Sequence, residues 1–150
     1  IVVTGIAEGS GLFLAATVLL RAPLPLVEAA AAAAIVLAAL RSWTWRSYLA
    51  ALGTEGAPTR TFAMFDAFRP WFFLTGLAVP AALIALGFLA ANATAMAFAL
   101  AGLCIAFAGS ALKLILVTRA GFNQGFALEH TPVRGAGIAG PAVKPGWSTR

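Results

Sequence analysis

Residues 95–117 read AMAFALAGLCIAFAGSALKLILV, with Lys113 the one charge in the run. An α-helix rises 1.5 Å per residue, so about 20 apolar residues cross the roughly 30 Å of hydrocarbon in a bilayer. This run is long enough, and three others resemble it. Residues 1–20, 26–52 and 71–89 meet or approach the same length, although the second turns amphipathic after Leu40. The sequence therefore predicts an all-α fold, a polytopic transmembrane helix bundle of about four spans that forms part of a larger bundle. Residues 1–117 make the bundle, and residues 118–150 make an irregular C-terminal tail suited to docking a partner.

Bulk composition agrees. Of 150 residues, 61% are hydrophobic and 10% charged, too little polar surface for a water-soluble globule that leaves no large apolar patch. Four spans consume most of the chain, so no soluble domain fits beside them. The chain opens on Ile1 inside an apolar run, and the expectation is that further residues precede it. That run is not a signal peptide: it has no basic leader and carries Glu8 where the core should be apolar.

The net charge is +5. In a soluble protein this would suggest nucleic acid, but here the basic residues sit where a membrane protein places them. Arg41, Arg46, Arg60 and Arg69 lie around the second connection, and Arg119, Arg134, Lys144 and Arg150 follow the last span. Four spans bring both groups to one side, which the positive-inside rule assigns to the cytoplasm. The expected location is a bacterial inner (cytoplasmic) membrane, with loop 41–70 and the tail cytoplasmic.

Local signals set the joints. Arg21, Pro23 and Pro25 end the first span, since proline cannot continue the helical ladder. Glu28 falls in the first turn of the second, where an acid suits the helix dipole. Trp43, Trp45 and Tyr48, with Arg41 and Arg46 reaching to headgroups, read as an interfacial belt, and Gly53 reads as a cap. Residues 54–70 read as a polar connector, with Pro70 opening the third span. Pro80 lies inside that span and should kink it, the freed carbonyl being satisfied by neighbouring helices. Gly5, Gly9 and Gly11, and again Gly102, Ala106 and Gly109, mark faces for close helix packing.

Chemistry has few places to live. Glu8 lies roughly 10 Å into its span at 1.5 Å per residue, and intramembrane acids usually face a partner or a cavity. Lys113 lies near the same face and either snorkels to headgroups or pairs with Glu8. His130 is the single histidine; it is the third candidate for proton relay or quinone binding. Arg119, Asn123, Gln124 and Arg134 are candidates for docking a partner. Cys104 is the single cysteine, so cysteines build no metal site, and one histidine excludes a bis-histidine haem within the chain. There is no catalytic triad and no phosphate-cradling loop, so chemistry on a soluble substrate by this chain alone is not expected.

Two stretches carry a family resemblance. TGIAEGSGLFLAA at residues 4–16, and more so KLILVTRAGFNQGFALEHTPVRG at 113–135 followed by GPAVKPGW at 140–147, resemble the membrane-anchor subunits of dimethyl sulfoxide reductase-type molybdenum enzymes. The nearest branch is the anchor of phenylacetyl-CoA:acceptor oxidoreductases, related to the polysulfide reductase anchor family. The resemblance implies an all-helical subunit, free of haem and iron–sulfur clusters, that binds menaquinone or ubiquinone. It implies an iron–sulfur partner subunit that exchanges electrons with a molybdopterin catalytic subunit, and no nucleic acid. Such anchors carry more spans than four, so the chain resembles their C-terminal half. Two other readings stand beside it: a small transporter or half-transporter with Glu8 and Lys113 as coupling charges and Pro80 as a helix break, and a purely structural assembly subunit.

Overall fold

A computed structural model describes residues 2–54, 59–90 and 94–120. All the described elements are helical: α1 (Val2–Leu19), α2 (Leu24–Thr54), α3 (Thr59–Phe73), a π-helical turn (Leu74–Ala78), α4 (Val79–Leu89), α5 (Thr94–Ile115) and a second π-helical turn (Leu116–Ala120). Four helical segments, Val2–Leu19, Leu24–Thr54, Thr61–Leu89 and Thr94–Arg119, are long and apolar enough to cross a membrane. The chain is a membrane-spanning helix bundle.

The first joint forms as the prolines require. Arg21 adopts a left-handed backbone, φ 52°. The Ala22 N–H donates to the Thr17 carbonyl at 2.9 Å and the Arg21 N–H to the Val18 carbonyl at 3.1 Å, which is the Schellman closure of a helix. Glycine is the usual residue at that position because an added Cβ crowds the following carbonyl. Helix α2 then starts at Leu24, so Glu28 lies just past the first turn rather than in it, and Gly53 lies within the helix instead of ending it.

The connector departs most from expectation. Helix α3 begins at Thr59, eleven residues ahead of Pro70, and Pro70 sits inside it. The reason is visible in TRTFAMFDAFRPWFF: Phe62, Phe65, Phe68 and Phe72 recur at three- and four-residue spacing and make one apolar face. Phe65 and Phe72 bury that face against Trp45 and Leu112. The fourth span also runs past residue 117, its last turn reaching Ala120.

Helix α5 is the hub, packed along α1 on one side and α4 on the other, with α1 also against α2. The α1–α5 crossing depends on absent side chains. A Cβ on Gly11 would stand 2.5 Å from the Gly102 carbonyl oxygen, and a Cβ on Gly102 would strike the Gly11 carbonyl. Such contact between backbones is what small residues permit in lipid, where packing drives association. Gly9, on the same helix, meets nothing within 4 Å. Gly102→Ala is expected to cost about 1–3 kcal/mol by overpacking, whereas Gly9→Ala should be neutral or stabilise by up to about 1 kcal/mol through helix propensity. Reversible unfolding of the two variants in mixed micelles checks the opposite signs.

The interior divides into two layers. Toward the α1–α2 joint lies an alanine-rich cluster of Leu14, Val27, Ala31, Ala34, Ile84, Phe98 and Ile105. Toward the opposite, basic end lies an aromatic cluster of Trp45, Phe65, Phe72, Ala108 and Leu112. The expected belt is therefore split: Trp43 is 70% exposed, but Trp45 is 6% exposed and is a core residue.

Candidate functional site

Between those layers the bundle holds charge. Glu8 and Lys113, 105 positions apart in sequence, form an ion pair in which the Lys113 ammonium donates to Glu8 Oε2 at 2.6 Å. The pairing follows from topology: α1 starts and α5 ends at the same face. Lys113 does not simply stretch to the headgroups. Its ammonium lies over Gly5, where an added Cβ would stand 4.0 Å from Nζ. The Glu8 side chain is 14% exposed and that of Lys113 is 42% exposed. Glu8 fits because Gly109 lacks a side chain, as any Cβ there would strike the carboxylate. Gly109 thus houses a charge rather than a helix backbone.

Arg41 is the residue that the sequence reading misplaced. It was expected to reach the headgroups; it is instead fully buried, 0% exposed. Its Nη1 donates to the Ile105 carbonyl and its Nη2 to the Gly76 carbonyl, both at 2.8 Å. Its guanidinium carbon stands 5.2 Å from the centre of the Phe72 ring, within cation–π range. Glu8 lies near enough to act on it electrostatically. These contacts explain how a cation survives in hydrocarbon, where a central arginine costs about 2.5–3.5 kcal/mol on insertion scales.

The Gly76 carbonyl is the key acceptor. In a regular α-helix it would receive the N–H of residue 80, but residue 80 is Pro80 and has none. The chain accommodates this with the π-helical turn, closed by the Val79 N–H on the Leu74 carbonyl, and Arg41 supplies a donor to Gly76 from another span. Helix-breaking prolines are tolerated in membranes where neighbours satisfy the freed groups. Glycine at 76 is required for the approach, since a Cβ there would stand 2.7 Å from Nη2. Each buried charge therefore rests in a notch left by a glycine on a facing helix.

Depth follows from position. Ile105 is ten or eleven residues from either end of α5, about 15 Å at 1.5 Å per residue. Gly76 is similarly central in the span Thr61–Leu89. The guanidinium therefore lies near mid-height, with Glu8 and then Lys113 above it toward the basic face. The interior at mid-height is not purely apolar.

Hydrogen-bonding capacity remains at this site. Glu8 Oε1 and Arg41 Nε are buried without a hydrogen-bond partner among the described residues. Lys113 has three donors, one of them on Glu8. Two cations and one carboxylate leave an excess positive charge. Among the described residues no three His, Cys, Asp or Glu side chains stand close enough to hold a metal ion.

Other expected residues lie elsewhere. Arg119 is exposed in the last helical turn, at the basic face. Asn123, Gln124, His130 and Arg134 lie outside the described residues. Nearer the same face an open groove of about 750 Å³ runs between α2 and α3, lined by Arg46, Leu49, Asp66, Arg69 and Phe73. Asp66 and Arg69 pair at 3.4 Å one turn apart on α3, both exposed, so their contribution to stability is small.

Compared with known protein families, characterised proteins and solved structures, the chain matches none.

Proposed function

We propose that this chain is the quinone-binding membrane anchor of a multi-subunit molybdopterin and iron–sulfur oxidoreductase, in a bacterial inner membrane with its basic face in the cytoplasm. The observation that carries the reading is the Glu8–Lys113 pair within the span ends, together with the unpartnered Glu8 Oε1. A quinone, whether menaquinone or ubiquinone, supplies two-electron, two-proton chemistry when bound. Lys113 is half-exposed and keeps free donors for a carbonyl oxygen, and its charge stabilises negative charge developing there. Glu8 holds the Lys113 ammonium in place and offers Oε1 to a hydroxyl. The excess positive charge of Arg41 and Lys113 over Glu8 favours an anionic state at this depth. The iron–sulfur partner would dock on the basic face near Arg119 and the tail candidates Asn123, Gln124 and Arg134, with His130 a candidate for proton exchange there.

The test is purification of the intact complex in mild detergent, with mass spectrometry, metal analysis and quinone extraction. Iron–sulfur and molybdenum or tungsten subunits with bound quinone are expected. Lys113→Ala should then lower quinol-coupled turnover by roughly tenfold to a hundredfold, the range for one preorganised donor and below, and leave turnover with a soluble dye unchanged. A chain that purifies alone, free of metal and quinone, would sink the reading.

A second reading draws on Arg41. A cation at mid-height beside a proline-broken span is also a feature of transporters, whose sites lie near the midplane. On that reading the purified chain in liposomes moves a charged solute, and Arg41→Gln abolishes the movement.

A further inference from the structure

We infer that the bundle gives protons and ions access from its basic face only, with Arg41 as the positive floor of that polar well. The inference stands on the distribution of buried groups and does not depend on quinone binding. Above Arg41, toward the basic face, the interior holds Glu8 and Lys113. Below it the buried cluster is Leu14, Ala34, Ala31, Val27, Ile84 and Phe98. The buried hydroxyl on that side, Thr17, already donates to the Leu14 carbonyl of its own helix at 2.7 Å. A proton reaching Glu8 from above thus meets hydrocarbon below, with no relay among the described residues.

The charged groups facing Glu8 are Lys113 from α5 and Arg41 from α2; the described residues of α4 and its π-turn contribute none. Lys113 is open to the basic face, whereas Arg41 is sealed and held by two carbonyls on two different spans. A fixed buried guanidinium repels protons and cations, as arginines do in water-selective pores. Arg41 therefore does two things at once. It donates to the carbonyl that Pro80 leaves open, and it closes the only charged column in the described bundle.

Native membrane vesicles of both orientations, carrying the full protein, test this with a pH-sensitive dye in the lumen. Wild-type vesicles should hold an imposed pH gradient. Arg41→Gln should dissipate it about tenfold faster, the factor that corresponds to a barrier lower by about 1.4 kcal/mol, while Arg46→Gln at the exposed site should match wild type. Thiol labelling supplies a readout that leaves Arg41 in place. In a Cys104→Ser background, a membrane-impermeant reagent should modify Glu8→Cys from the basic side alone and Leu14→Cys from neither. An Arg41→Gln protein that assembles and keeps the gradient as well as wild type would overturn the inference. So would labelling of Leu14→Cys from the opposite side. If Arg41→Gln does not assemble, the labelling pattern decides alone.

Discussion

Arg41→Ala is expected to destabilise the bundle by about 3–5 kcal/mol, the range for removing one member of a buried charge network. Arg46→Ala, five residues on, should change stability by no more than about 0.5 kcal/mol, as for most surface substitutions. The contrast follows from what each side chain touches. Arg46 is exposed at the edge of an open groove. Arg41 is fully buried, donates to Ile105 and Gly76 on separate spans, and lies over Phe72. Its removal leaves the Gly76 carbonyl opposite a proline that cannot serve it, leaves Glu8 with one cation instead of two, and opens a void between the two apolar layers. Denaturation in mixed micelles, followed by circular dichroism, measures both variants. Equal stabilities for Arg41→Ala and Arg46→Ala would mean that the guanidinium is not what ties the spans together.

Those two arginines also show what the sequence could and could not say. RSWTWR places Arg41 and Arg46 in one amphipathic stretch, and both satisfy the positive-inside pattern. Five residues at about 100° each put them on nearly opposite faces of α2, but which face points inward depends on where α4 and α5 lie. A signal was nonetheless present. Pro80 leaves the carbonyl of residue 76 short of a donor, and residue 76 is a glycine that admits a close approach. Few strong donors in the apolar stretches are available to serve it, and Arg41, Arg46 and Lys113 are the cations among them. The expectation that a neighbouring helix would satisfy the freed carbonyl was therefore correct, while the residue doing so was not identified.

The rest of the fold divides in the same way. Length and hydropathy were enough for the number of spans, because crossing a bilayer is a constraint on single helices. Proline and the Schellman closure set the first joint for the same local reason. The start of the third span differs because residues 54–70 read as a polar connector with Pro70 opening the span, whereas the phenylalanine periodicity of α3 carries the helix back to Thr59. Its phenylalanines bury against Trp45, so tertiary packing outweighed the local signal. The Glu8–Lys113 contact is one of the two readings that topology left open for Lys113: four crossings, an even number, separate the start of α1 from the end of α5, hence a common face. Gly109 was read as a helix-packing residue, since nothing in one sequence tells a notch for a backbone from a notch for a carboxylate.

Glu8 and Lys113 touch, yet their replacement is expected to have unequal effects. Glu8→Gln keeps the shape and removes the charge, leaving two cations inside the bundle. Lys113 is 42% exposed and has a flexible stem, so its ammonium can turn to the headgroups and recover solvation. Arg41 has no such route, being held at mid-height by two carbonyls. Glu8→Gln is therefore expected to cost about 3 kcal/mol or more, the lower bound for leaving a buried charge uncompensated. Lys113→Gln should cost about 1 kcal/mol or less, the range for a pair with one partly solvated member. Double-mutant cycles sharpen the claim. The coupling of Glu8 with Arg41 should exceed that of Glu8 with Lys113, even though the latter pair makes the hydrogen bond. Charge in the low-dielectric interior is screened less than charge near the face, so burial outranks contact in setting the coupling. A Glu8–Lys113 coupling larger than the Glu8–Arg41 coupling would mean that the carboxylate is there for the lysine at the surface. It would then not be the counter-ion that allows an arginine at the centre of the membrane.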